Sequence, residues 1–437
     1  MAAGIGLSDI AKSQDLLKRI AFCLFVLFLY RVGCFIPIPG LDPDVIAAIA
    51  KRGSSNGLLG MFDMFAGGAL SRMTIFALNI MPYISSSIIM QLMTVMSPEL
   101  ARLKKDGGIT GRAKINQYTR WLTVFIATVQ AYAISSYLMS MTPSPVLIGS
   151  LFPFVSVPTL VGGTLFVVWL GEQITNKGVG NGTSLIIFAG IVASMPAEIS
   201  NLFMMGREGV VPVQTILFVM ALSVCVMIFV VFMERAQRKI PIHYPQRRNI
   251  AYGAYSGESS HLPLKINPVG VMPPIFAYAL MSLPITIANF FTPEADSLFA
   301  EFLAHFRGGG LLFNAVLAAL MVVFSFVYAA IVIDPDETAD NLKKAGGFIP
   351  GVRPGKATSE YIDYVVTRLT CLGAAYLVLI CMLPDFVSHH FGVRFLFGGT
   401  GLLIIVGVTM DTVTQIYTHA ISHQYRGVLR KAMRRKQ

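Results

Sequence analysis

Ten separate stretches of this chain are apolar over about twenty residues each, and no other feature limits the fold as strongly. They lie near residues 20–38, 74–96, 119–140, 153–175, 183–203, 212–233, 268–291, 311–333, 367–387 and 396–416. A helix needs ~20 mostly apolar residues to cross the hydrocarbon core, where every backbone N–H and C=O must be satisfied within the spanning element. The pattern predicts an all-α membrane protein of ten transmembrane helices. Composition agrees: 54% of the 437 residues are hydrophobic and 13% are charged, about half the ~25% charge of a soluble domain. Residues 1–19 are mixed and polar, and no small-residue cleavage site follows the first run, so it reads as a retained span.

Charge placement orients the spans. With the N-terminus inside, the segments 1–19, 97–120, 234–267, 334–368 and 417–437, together with Lys177, hold 27 of the 34 Lys and Arg residues. The positive-inside rule then puts both termini in the cytoplasm. The chain also divides into five spans over 1–203 and five over 204–437. An odd number per half makes the second half enter from the opposite face, which permits two inverted five-helix halves with a path between them.

Several function classes lose ground. Ion-coupled transporters place ionisable groups at mid-membrane depth, whereas Arg31, Glu172 and Asp411 sit within a turn or two of span ends, where snorkelling is cheap. There is no H-E-x-x-H, no Walker loop and no nucleophile–base pair in an aqueous setting, so neither an enzyme nor a metal or cofactor site is expected. Cys23, Cys34, Cys225, Cys371 and Cys381 lie in apolar runs without C-x-x-C spacing and read as small hydrophobes. A secondary transporter of small solutes stays open as an alternative on span count alone.

Two segments stand out. Residues 57–72 (GLLGMFDMFAGGALSR) are apolar and glycine-rich but too short to span. They read either as an amphipathic piece at the outer interface or as a short re-entrant helix entering a protein cavity, hinged at Gly67 and Gly68. The second run, Met73–Met96, carries Pro82, expected to interrupt its helix, with Ser85, Ser86, Ser87, Gln91 and Thr94. Such groups serve either as packing glue to a neighbouring helix or as the weak polar contacts of a helix that must sometimes separate.

The runs GMFDMFAGGALSRMTIFALNIMPYISSSIIMQL and WLGEQITNKGVGNGTSLIIFAGIV, with FIPIPG, SHLPLKIN, ETADNLKKAGGFIPGVRPG and FGGTGLLIIVGVTMD, closely resemble the SecY family, the central subunits of bacterial protein-conducting translocons. These motifs fall in order from the first span to the last, so the resemblance covers nearly the whole chain.

The resemblance implies an hourglass pore between the two halves, closed at its waist by Ile80, Ile84, Ile187, Ile275 and Ile404. Ile80 and Ile84 are four apart and so share a helical face, and an aliphatic ring makes a dewetted constriction. Thr183 stands where relatives often have another ring isoleucine, and Asn79 where they usually have glycine. The family's plug, the short helix sealing the outer side, corresponds to about 57–70: Leu58, Leu59, Met61, Phe62, Asp63, Met64, Phe65, Gly67 and Gly68. Spans two and seven correspond to the lateral gate, with Ser85, Gln91 and Leu283 at gate positions.

The loops at about 234–267 and 334–366 correspond to docking surfaces, with Arg247, Arg248 and Arg353 facing the ribosome or the motor SecA. Arginine suits phosphate and carboxylate partners alike, and contact with ribosomal RNA should be salt-sensitive. The implied function is a passive channel for unfolded preproteins, across or laterally into the bacterial plasma membrane. Its implied partners are SecE, SecG, SecA, the ribosome with its RNA and proteins, signal sequences, nascent chains and lipid, with SecDF and YidC as further associates.

Overall fold

Each of the ten predicted runs holds a helix in the computed structural model, which describes residues 14–42, 45–46, 67–106, 108–140, 145–209, 211–244, 260–290, 310–391 and 398–434. The helices are α1 (Gln14–Gly33), α2 (Met81–Met96), α3 (Pro98–Asp106), α4 (Gly108–Ser140), α5 (Phe152–Lys177), α6 (Gly182–Arg207), α7 (Val213–Arg235), α8 (Met272–Phe290), α9 (Leu311–Val332), α10 (Pro335–Lys344), α11 (Lys356–Phe391) and α12 (Gly399–Arg434). Among the described residues, seven helices are long and apolar enough to cross a membrane. The helices α4, α11 and α12 have 33, 36 and 36 residues. At 1.5 Å per residue each runs to about 50 Å or more. They outrun the bilayer over the Lys- and Arg-rich ends of the predicted spans.

The second span departs from expectation. Pro82 does not interrupt its helix but starts it, since α2 begins at Met81 and Pro82 occupies the first turn, where a missing N–H costs nothing. Residues 67–80 instead form consecutive turns, broken from helical geometry by Met73 and Asn79, both at φ +47°. The 16 residues of α2 reach only about 24 Å, and the irregular segment makes up the rest. Its backbone is satisfied locally: Ile38 N–H donates to Met73 O, Ile75 N–H to Ile36 O and Thr74 N–H to Ala69 O, each at 3.0 Å. Thr74 and Phe76–Ile80 are buried, as non-helical backbone at membrane depth must be.

The chain folds as two compact units. The first comprises Met1–Pro212, Ala279–Phe313 and Leu396–Gln437, the second Val213–Tyr278 and Asn314–Phe395. In the first, Ile38, Leu41, Ala77, Leu78, Ala131, Leu138, Phe152 and Leu160 form a core, and the Ser135 and Ser156 hydroxyls join α4 to α5 at 2.6 Å. The rings of Tyr30, Phe76, Phe166 and Trp169 follow one another at centroid spacings of 6.0, 6.0 and 5.8 Å.

In the second unit, β1 (Gln237–Ile242) and β2 (Ser260–Lys265) form an antiparallel hairpin, registered from Gln237↔Lys265 to Ile242↔Ser260. Helix α10 starts on Asp334, whose carboxylate accepts from the Asp336 and Glu337 N–H groups, and it ends on Lys343 and Lys344. Its charge order therefore complements the helix dipole.

Candidate functional site

Ile80, Ile84, Ile187 and Ile404 belong to the first unit and are 0%, 9%, 5% and 1% exposed. Ile275 belongs to the second and is half-buried. Ile80 is the N-cap residue of α2, and Ile84 N–H donates to its carbonyl at 3.1 Å. The i, i+4 relation read from the sequence is thus the opening hydrogen bond of the helix. Ile187 and Ile404 sit on α6 and α12, which pack against each other. Thr183 takes part in the start of α6: its N–H and hydroxyl both donate to Asn181 Oδ1, at 3.2 and 2.7 Å, where Asn181 caps α6.

The turn Lys177–Gly182 between α5 and α6 is a junction. Cys23 Sγ accepts from Val179 N–H at 3.2 Å and donates to Val179 O at 3.6 Å. Gly180 N–H donates to Gln415 Oε1 at 2.9 Å, and Val179 packs with Leu16 and Ala420. Helices α1 and α12 thus clasp the α5–α6 turn. The thiol is a hydrogen-bonding partner here and more than a small hydrophobe, a role its position in an apolar run did not signal.

Of the plug-like segment, Leu58, Leu59, Met61, Phe62, Asp63, Met64 and Phe65 lie outside the described residues. Gly67 and Gly68 are described, at φ +65° and +81°. Gly67 is buried beside α6, where a Cβ would stand 2.9 Å from Gly190 Cα, and its carbonyl accepts from Arg31 Nη1 at 2.7 Å.

Among the described residues, the hydrogen bonds of the polar groups of α2 stay within the helix. Ser85 Oγ donates to Met81 O at 3.2 Å, Ser86 Oγ to Pro82 O at 2.7 Å and Thr94 Oγ1 to Gln91 O at 2.7 Å, while Gln91 Nε2 donates to Ser87 Oγ at 3.3 Å. Hydroxyls in a helix readily turn back onto the preceding turn's carbonyls, and here that local choice wins. Leu283 lies on α8, with its side chain outside the described residues.

The two basic loops, read as separate segments, share one core. His243 and Phe348 exchange reciprocal backbone hydrogen bonds at 2.9 Å. Ile240 and Ile242 of the hairpin are buried with Leu342, Ile349, Ile362, Val365, Val366 and Leu369. Arg353 is exposed in the turn before α11, where Thr358 Oγ1 donates to its carbonyl at 2.9 Å. Arg238, Lys239, Lys265, Lys343, Lys344 and Lys356 are exposed on the same module; Arg247 and Arg248 lie outside the described residues. At its root, Asn267 Nδ2 donates to Glu234 Oε1 at 3.0 Å and to Gly270 O at 3.1 Å.

One ion pair escaped sequence reading. Arg120 grips Glu172 through Nε and Nη2 at 3.1, 2.7 and 2.8 Å, 52 residues away in sequence. Each alone looked like an ordinary span-end charge.

The family model described as SecY matches residues 74–413. The protein translocase subunit SecY of Vibrio cholerae is 46% identical over 96% of this chain and 95% of its own length. That of Escherichia coli K12 is 45% identical over the same shares, and that of Rickettsia typhi is 44% identical over 96% and 97%. A solved protein-conducting channel superposes with a TM-score of 0.67 at 17% identity, over 94% of each chain. Sec61 in the canine ribosome–channel complex from the endoplasmic reticulum does so with 0.61 at 16% identity, over 94% of each.

Proposed function

The chain belongs to the SecY family, and from that premise we propose that it is the channel through which unfolded preproteins cross, or laterally enter, the bacterial plasma membrane. The observation that carries this reading is near-half identity to protein translocase subunits over almost the whole length. A small-solute transporter, the other class that ten spans allow, is not supported. We take residues 1–203 and 204–437 as the inverted halves, both termini as cytoplasmic, and the energy as supplied by a partner.

In this reading Ile80, Ile84, Ile187, Ile275 and Ile404 form a gasket. Aliphatic side chains hold no hydrogen-bond partners for a passing chain and leave a narrow dewetted neck for ions, so any sequence meets the same surface. The lateral gate runs along α2 and α8. Because the Ser85, Ser86 and Thr94 hydroxyls bond within α2, parting that helix from a neighbour breaks none of their hydrogen bonds. Only apolar contact is exchanged for lipid, which is nearly as apolar.

The module built on the hairpin and α10 is the docking surface for SecA or the ribosome, with Arg353 and its neighbouring lysines as contacts. Its shared core supports this, because a partner then meets one rigid body in place of two loose loops. SecE and SecG are the small membrane partners, with SecDF and YidC as further associates. Reconstitution tests the whole reading. Proteoliposomes holding the chain with SecE-like and SecG-like subunits and SecA should protect a preprotein from protease only with ATP. No protection, with a related translocon active in parallel, would refute it.

A further inference from the structure

The turn that carries Arg353 is held on both sides. Before it, Ile349 is buried and Val352 packs against the same core, with Val352 N–H donating to Ile349 O at 3.1 Å. After it, the Gly355 carbonyl accepts from the Thr358 and Ser359 N–H groups at 3.0 and 3.1 Å. Gly351 and Gly355 stand at φ +83° and +106°, and a Cβ on either would meet nothing within 4 Å. Backbone conformation, and not room, is therefore what these two positions ask of glycine. Pro354 adds a restraint of its own, since a proline disfavours helical geometry in the residue before it. Ser359 Oγ donates to Asp336 Oδ1 at 2.5 Å, which joins the start of α11 to α10.

The Thr358 hydroxyl completes the turn. Thr358 is 1% exposed, in the first turn of α11, and its Oγ1 donates to Arg353 O at 2.9 Å. A buried hydroxyl thus grips the backbone of an exposed arginine. Holding that carbonyl fixes the peptide plane after Arg353, and with it the direction in which the side chain leaves the module. A long side chain on a fixed stem loses less freedom on meeting a partner than one on a mobile loop. A bidentate pair with a protein carboxylate needs such aim, whereas the surrounding lysines can meet RNA phosphates as point charges from many directions.

We propose that Thr358 is a positioning residue for docking: through the Arg353 carbonyl it aims the Arg353 guanidinium at the motor SecA. This rests on the reading of Arg353 as a docking contact. Thr358, being buried, meets no partner itself and acts through Arg353.

The test uses proteoliposomes of the full chain with its small partner subunits, and follows ATP-dependent preprotein protection against SecA concentration. Thr358→Val keeps the shape of the side chain and removes the donor, while Thr358→Ser keeps the donor. Thr358→Val should raise the half-saturating SecA concentration about fivefold, the factor that ~1 kcal/mol from one hydrogen bond commands, with a maximal rate near the parent's. Thr358→Ser should stay near the parent in both. In an Arg353→Ala background, itself weaker than the parent for SecA, Thr358→Val should add nothing, an outcome that a general structural role would not produce. If Arg353→Ala shifts the curve and Thr358→Val does not, the positioning role is refuted and the docking reading stands. If Arg353→Ala shifts nothing, both fall. A Thr358→Val shift that persists undiminished beside Arg353→Ala, or a loss seen in ribosome binding but not with SecA, also overturns the proposal. Should Thr358→Val fail to fold, Thr358→Ala takes its place with the same outcomes.

Discussion

Asn79 holds a left-handed backbone, φ +47°, one residue before the N-cap of α2. It is 1% exposed, and its side chain hydrogen-bonds Tyr30. Two costs therefore follow from replacing it. Losing a buried hydrogen bond costs about 1 kcal/mol. A residue with a plain Cβ in the left-handed region costs roughly 1–2 kcal/mol, of which asparagine escapes a part. Asn79→Ala incurs both and should lose about 2 kcal/mol. Asn79→Gly loses the hydrogen bond but adopts the backbone freely, and its greater unfolded-state entropy offsets some of that gain; about 1 kcal/mol is expected. Asn79→Val, β-branched, should be the worst, at about 3 kcal/mol. Thermal unfolding of the purified variants in detergent would rank them glycine, alanine, valine in order of increasing damage. Because Ile80 follows directly, resting ion leak should rise in the same order. Equal effects of glycine and alanine, or a harmless valine, would show that the turn relaxes and that left-handed geometry is not what this position requires. Position 79 calls for a positive φ, and asparagine, like glycine, is among the few residues that supply it.

Other expectations follow from particular contacts. Gly182→Ala would bring a Cβ within 1.9 Å of Gly171 O, and Gly163→Ala within 2.0 Å of Ile75 O. Each should cost about 1–3 kcal/mol by overpacking, measured as a lowered unfolding midpoint, while Gly162→Ala, with nothing within 4 Å, should be neutral. Arg353→Glu should impair preprotein transport in proteoliposomes at parental unfolding temperature, and normal transport would remove that loop from the docking surface. The Arg120–Glu172 pair is 59% and 30% exposed, so a double-mutant cycle on unfolding should find a coupling below about 1 kcal/mol. A value above about 2 kcal/mol would show that solvent screens it less than its exposure implies.

How far the chain could be read in advance differs from element to element. The helix at 212–233 was plain because lipid demands an unbroken apolar run, and α7 fills it. The basic loops were plain as basic, and Arg238, Lys239, Lys265, Lys343, Lys344, Arg353 and Lys356 are exposed on them. Span two misled in its first half. Met73–Ile80 is apolar apart from Thr74 and Asn79, and hydropathy does not register that Asn79 and Met73 turn left-handed, or that Ile36 and Ile38 stand ready to bond their neighbours' backbone. Its serines stayed open between two roles, since composition cannot tell a hydroxyl bonded to its own helix from one bonded to the next.

What the sequence determined by itself is therefore what membrane solvation imposes segment by segment: helical class, ten apolar runs, the basic loops between them, and family membership through motifs in order. In a bilayer each span must satisfy its own backbone, so the rule is local and can be read locally. Only the tertiary structure decided that Arg31 meets Gly67, that Arg120 meets Glu172, that Cys23 and Gln415 clasp the turn at Val179 and Gly180, and that His243 bridges to Phe348 to join two loops into one body. Those partners are separated by 36 to 235 residues. Nothing in the local pattern of either partner encodes the other, because the free energy that selects them arises only when distant helices pack.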